Sequence, residues 1–80
     1  MTMARAEQFY QPNWKVIKAI GLKIRLIRNK KHLSIYKLSE KSGLSYVTIS
    51  RIENGHKNLS VSTLYDLAKG LNVPVFALLV

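Results

Sequence analysis

Residues Ser34 to Gly55 read Ser-Ile-Tyr-Lys-Leu-Ser-Glu-Lys-Ser-Gly-Leu-Ser-Tyr-Val-Thr-Ile-Ser-Arg-Ile-Glu-Asn-Gly. This stretch decides the fold. Ser34 is a helix N-cap residue, its hydroxyl suited to accept an orphan backbone N–H, and Leu38 supplies an apolar contact one turn later. Gly43 stops that helix, because glycine enters the left-handed conformation at little cost and lets the chain turn back. Leu44 then points inward and Ser45 caps a second helix, in which Ile49 and Ile52, three apart, share one buried face. Tyr46, Val47, Ser50 and Arg51 fall largely outside that pair, and Asn54-Gly55 ends the helix. Two short helices joined by a tight glycine turn form a helix-turn-helix, whose second member has the size of the DNA major groove.

Eighty residues make one small domain, for which a helical packing dense in Leu and Ile is an economical solution. Thirteen Lys plus Arg against four Asp plus Glu give a formal charge of +9, which calls for a polyanionic partner, nucleic acid ahead of an anionic membrane surface. Ten of the thirteen cations precede Gly43, so the N-terminal half suits phosphates while the apolar C-terminal third suits protein. There is no cysteine, which excludes disulfides and thiolate metal sites. Val73 to Val80 is too short an apolar run to span a bilayer, and the N-terminus has no signal-peptide core, so the chain reads as cytoplasmic and soluble with no membrane partner.

Outward from the motif, residues 1–13 read as an N-terminal arm carrying Phe9, Tyr10 and Pro12, with Trp14 at its end. From Trp14 to Lys31 the apolar residues Ile17, Ile20, Ile24 and Ile27 recur at three and four and mark the core face of a helix. Leu22 and Leu26 point nearly opposite to Ile20 and Ile27 at about 100° per residue. They are either isolated surface leucines or a site covered by the arm or a protein partner. Ser60 caps a helix with Val61, Leu64, Leu67, Ala68 and Leu71 on its core side, ended by Asn72. Pro74 opens a fifth, short helix through Val75, Phe76, Leu78 and Leu79. The expected fold is all-α, with five helices over residues 14–80 and the motif at about 35–54.

These residues resemble the Cro/CI-type, or XRE-type, lambda-repressor-like regulators. The likeness rests on Ile20-Gly21, Ile24-Arg25, Ile27-Arg28, Leu33-Ser34, Leu38, Ser42-Gly43-Leu44-Ser45, Thr48 through Gly55, and Leu64 through Val73. It implies a compact five-helix DNA-binding domain, a third helix in the major groove, and a homodimer on a double-stranded operator with two half-sites. It also implies base reading by Tyr46, Val47, Ser50 and Arg51. Arg51 is the strongest of these, since a guanidinium donates twice to guanine O6 and N7; a solvated arginine reaching only phosphate is its alternative. Val47 would meet a thymine methyl or lie partly buried against the preceding helix.

Phosphates would be met by Ser34, Tyr36 and Lys37, by Ser45 and Thr48, and by Asn54, Lys57 and Asn58, through helix N-terminal amides and counterion release. Arg28 and Glu53 occupy positions that pair in this family. One departure is Ile35, where the family often carries a glutamine that grips phosphate and supports the recognition helix. Isoleucine has no such donor.

His32 and His56 lack partners at metal-ligand spacing, and Glu7, Glu40, Glu53 and Asp66 form no catalytic pair, so no metal, cofactor or enzymatic activity is expected. Val73, Val75, Phe76, Leu79 and Val80 exceed what one short terminal helix buries, and are expected to form the dimer interface. The functional expectation is a sequence-specific repressor of its own or a neighbouring operon, as a phage or plasmid repressor, a restriction-modification controller, or an antitoxin. The alternative is a protein-interaction module that keeps the fold and uses Leu22 and Leu26 to hold a partner.

Overall fold

The structure, a computed structural model, describes residues 11–80. The expected arm, with Phe9 and Tyr10, falls outside the described residues apart from its last three. Helix α1 spans Trp14–Lys30, α2 Ile35–Ser42, α3 Tyr46–Glu53 and α4 Val61–Leu71, and no strand occurs among the described residues.

Local chemistry sets these boundaries. The Oγ atoms of Ser34, Ser45 and Ser60 accept the backbone N–H groups of Lys37, Thr48 and Thr63 at 3.0, 3.1 and 3.0 Å, capping α2, α3 and α4. Asn13 does the same for α1, its Oδ1 accepting from Val16 N at 3.2 Å. Gly43 stands at φ +78° and reverses the chain between α2 and α3. The other three helices close with a left-handed residue and a bond from the following amide to a carbonyl five back: Leu33 to Arg28, His56 to Arg51 and Val73 to Ala68. At α1 and α4 the left-handed residue is not glycine but His32 and Asn72.

The core is one cluster, with Ile24, Leu38, Ile49, Ile52, Leu67, Leu71 and Leu78 fully buried. Each such side chain contributes about 1.5–3 kcal/mol relative to leaving it in water. Helix α2 packs chiefly on α4, and α1 on α3. Gly21 makes the second pairing close: a Cβ there would collide with the carbonyl oxygen of Ile52, so the two helices touch backbone to backbone. Recognition-motif geometry therefore depends on a residue of α1.

Two expectations are corrected. Among the described residues there are four α-helices, where five were expected; Val75–Leu78 is a 3₁₀ turn, with Ala77 N donating to Pro74 O and Leu79 N to Phe76 O at 3.0 Å. Three residues per turn place Val75 and Leu78 on the same edge, so Leu78 enters the core while Val75 packs against it, a juxtaposition an α-helix would not make as directly. Val61 is 71% exposed rather than core. It shares the angular face of Ala68 but lies two turns nearer the helix start, beyond the end of the core, where it lines an open groove with Val16, Ile17, Ile20, Leu59 and Leu64. Of the five apolar residues expected at a dimer interface, Val73 and Val75 pack on this chain's own core, while Phe76, Leu79 and Val80 stay exposed.

Candidate nucleic-acid interface

Helix α3 has two unlike sides. Ile49, Ile52 and Glu53 are buried, whereas Tyr46, Val47 and Arg51 are exposed and Ser50 is half-buried. Val47, 61% exposed, is not tucked against α2. The four candidate base-reading residues thus lie on a helix anchored by its opposite face.

The anchor is ionic as well as apolar. Glu53 is 3% exposed, and Arg28 of α1 donates to it twice, from Nε to Oε2 at 2.7 Å and from Nη2 to Oε1 at 3.0 Å. Arg28 Nη1 donates to the Leu33 carbonyl at 2.8 Å, so the guanidinium also fastens the end of α1. The Glu53 hydrogen bond and charge raise the Arg28 pKa above its ordinary value, against the opposing effect of burial. Among the described residues no buried side-chain nitrogen or oxygen lacks a hydrogen-bond partner, so the carboxylate is fully compensated.

Arg25, quoted above only as part of the family likeness and given no role there, completes this cluster. Its Nε lies 3.5 Å from Glu53 Oε1 and its Nη2 donates to Asn54 Oδ1 at 2.7 Å. The spacing of three between Arg25 and Arg28 on α1 was the available signal. Asn54 also donates from Nδ2 to the Ser50 carbonyl at 2.9 Å, so both ends of its carboxamide are engaged within the protein.

The remaining phosphate candidates surround α3. Ser34, Tyr36, Lys37, Ser45 and Asn58 are exposed, and Thr48 and Lys57 half-buried. Ser45 Oγ accepts from Thr48 N and donates to Thr48 Oγ1 at 2.8 Å, Asn58 Oδ1 accepts from Leu59 N at 2.8 Å, and Lys37 Nζ lies 3.4 Å from Glu40 Oε1. Ser39 holds the turn itself: its Oγ donates to the Leu44 carbonyl at 2.5 Å, joining α2 to the residue before the α3 cap. Across the same turn the rings of Tyr36 and Tyr46 stack, centroids 4.6 Å apart and planes 19° from parallel. Ile35, lacking a polar end, packs against the core.

No helix among the described residues is long and apolar enough to cross a membrane, and none of them form a group of three or more potential metal ligands.

Comparison with known proteins agrees with this architecture. Control protein C.SmaI of Serratia marcescens is 43% identical over 56 residues, 70% of this chain and 67% of that protein. The HTH-type transcriptional repressor RghR of Bacillus subtilis is 34% identical over 59 residues, 72% of this chain and 44% of RghR. Across the curated relatives it matches, the chain spans between 44% and 73% of their length. Among solved structures, the restriction-modification controller protein C.AhdI of Aeromonas hydrophila superposes with a TM-score of 0.75 at 29% identity, covering 78% of this chain and 94% of that one. The helix-turn-helix family HTH_3 is matched over residues 24–78, from the buried Ile24 of α1 to the buried Leu78 of the 3₁₀ turn, and the chain belongs to this XRE-type family of transcriptional regulators.

Proposed function

We propose that this chain binds a double-stranded DNA operator sequence-specifically, with α3 in the major groove, and represses its own or a neighbouring operon. The observation that carries the reading is the two-sidedness of α3: Tyr46, Val47 and Arg51 stand in solvent while Ile49, Ile52 and Glu53 are held by the core and by Arg28. An exposed apolar-and-guanidinium face on a rigid helix has the chemistry of base-edge readout. The caps of α2 and α3, with Lys37, Thr48, Lys57 and Asn58 around them, would hold the phosphates and fix the register. The formal charge of +9 supplies the long-range attraction.

Likeness to C.SmaI and C.AhdI supports a restriction-modification controller as the biological role, ahead of a phage or plasmid repressor or an antitoxin. Phe76, Leu79 and Val80, all exposed at the C-terminal turn, support a homodimer that sets two α3 helices on successive half-sites. A second reading, a protein partner held at Leu22 and Leu26, is favoured by their exposure of 53% and 63% on the face of α1 away from the core.

Selection of bound DNA from a random pool, followed by a salt titration against scrambled DNA, tests the proposal. Specific binding keeps a preference of about a thousandfold or more near physiological salt. Equal affinity for selected and scrambled DNA would leave only charge-driven association and remove the repressor reading.

A further inference from the structure

Two tyrosines lie face to face across the helix-turn-helix, Tyr36 in the first turn of α2 and Tyr46 at the first position of α3. Both are exposed, at 69% and 41%, and neither belongs to the core cluster. Burial therefore does not explain them. The stack has a mechanical effect: a side chain at the start of a recognition helix would otherwise sample several rotamers, and a ring stacked at 4.6 Å favours the one that faces it. The base of each ring is itself fixed, since α2 and α3 are capped by Ser34 and Ser45 and their turn is clamped by the bond from Ser39 to Leu44. Ile35, the neighbour of Tyr36, offers no polar group to do this work.

We infer that the Tyr36–Tyr46 stack acts as one reading element that recognises the 5-methyl group of a thymine, Tyr46 making the contact and Tyr36 serving as its positioning residue. This rests on the DNA-binding reading above. An apolar ring held at one place in the groove discriminates thymine from a base without the methyl, whereas a ring free to swing away does not. Tyr36 then affects specificity through its ring, and its hydroxyl is dispensable.

The experiment uses the full chain on an operator selected from a random pool, with each thymine replaced in turn by deoxyuridine, which removes only the methyl. The wild type is expected to lose about fourfold in affinity at one position per half-site, the worth of one buried methyl group. Tyr46→Ala and Tyr36→Ala should each abolish that thymine preference, and the double variant should lose no more of it than either alone. Tyr36→Phe should keep it. Tyr36→Leu, which retains apolar bulk without a ring to stack, should lose it, and carries the test if the alanine variant folds poorly by circular dichroism.

The inference is overturned if no deoxyuridine substitution matters. It is equally overturned if Tyr36→Phe loses affinity uniformly across sequences to the same extent as Tyr36→Ala, the pattern of a hydroxyl on phosphate. Failure of the wild type to prefer its selected operator over scrambled DNA would be the distinct result that removes the DNA-binding reading itself, and this inference with it.

Discussion

Replacing Glu53 with alanine should weaken the domain far more than removing an exposed carboxylate does. Its carboxylate sits among three cationic nitrogens at 2.7, 3.0 and 3.5 Å with its side chain 1% exposed. Deleting one member of a buried ion pair costs about 3–5 kcal/mol, because the other charge is left desolvated and uncompensated. Here the stranded partners are not equally trapped: the Arg28 side chain is 12% exposed and that of Arg25 38%. Arg25 can turn to water, and Arg28 retains the Leu33 carbonyl at 2.8 Å. The expected loss therefore falls at the lower end, about 3 kcal/mol. For a domain of 80 residues, whose whole stability is of order 4–12 kcal/mol, that is a large fraction. It corresponds to a drop in Tm of roughly 12–24 °C. Urea unfolding followed by circular dichroism reads it directly, with Glu40→Ala as the comparison. Glu40 reaches Lys37 at 3.4 Å with 74% of its side chain in water, so removing it should cost less than about 0.5 kcal/mol. A Glu53→Ala loss no larger than that of Glu40→Ala would refute the reasoning, since the cluster would then be neither buried nor binding α1 to α3 in solution.

Arg51→Ala should cost about 1–3 kcal/mol on the preferred operator and relax discrimination at one base pair, with stability unchanged; a uniform loss across sequences in a binding titration would make Arg51 a phosphate contact. Gly21→Ala should destabilise by about 1–3 kcal/mol in thermal unfolding, because the new methyl meets the Ile52 backbone rather than a side chain that can yield. Phe76→Asp should shift sedimentation from dimer to monomer at micromolar concentration, and a monomer both before and after the change would exclude an interface at the C-terminal turn. The raised Arg28 pKa stabilises the fold wherever arginine is protonated in both states and is lost only as pH climbs through that raised value, so urea midpoints should show no Arg28-dependent change between about pH 6 and 9. A wild-type slope in that window that disappears in Arg28→Met would contradict this.

What could be read from the sequence was mostly what short-range chemistry decides. Ser34, Ser45 and Ser60 cap helices because a hydroxyl reaches an amide three residues on, and Gly43 turns the chain because of its own φ. Ile49 and Ile52 reveal a buried face by spacing alone. What was missed depended on distance through space. The part played by Arg25 requires knowing that α1 crosses the end of α3. The Ser39 hydroxyl matters only because the Leu44 carbonyl arrives opposite it. Periodicity gave Val61 the correct angular face but could not say that the core ends before it. At Val75 and Leu78 a spacing of three fits either an α-helix or a 3₁₀ turn, and packing against the core decided between them.

The backbone contact between Gly21 and Ile52 has a consequence for how such a protein can change its target. Where two helices meet through side chains, every substitution in the seam tilts one against the other, and a surface carried by either helix drifts with it. Here nothing compressible lies in the seam at Gly21, and Glu53 pins the same side of α3. The outward residues Tyr46, Val47, Ser50 and Arg51 can be exchanged as a set while the helix stays aimed as before. Transplanting those four from a relative with the same glycine and carboxylate should transfer the relative's choice of DNA site, as type is changed in a press whose bed does not move.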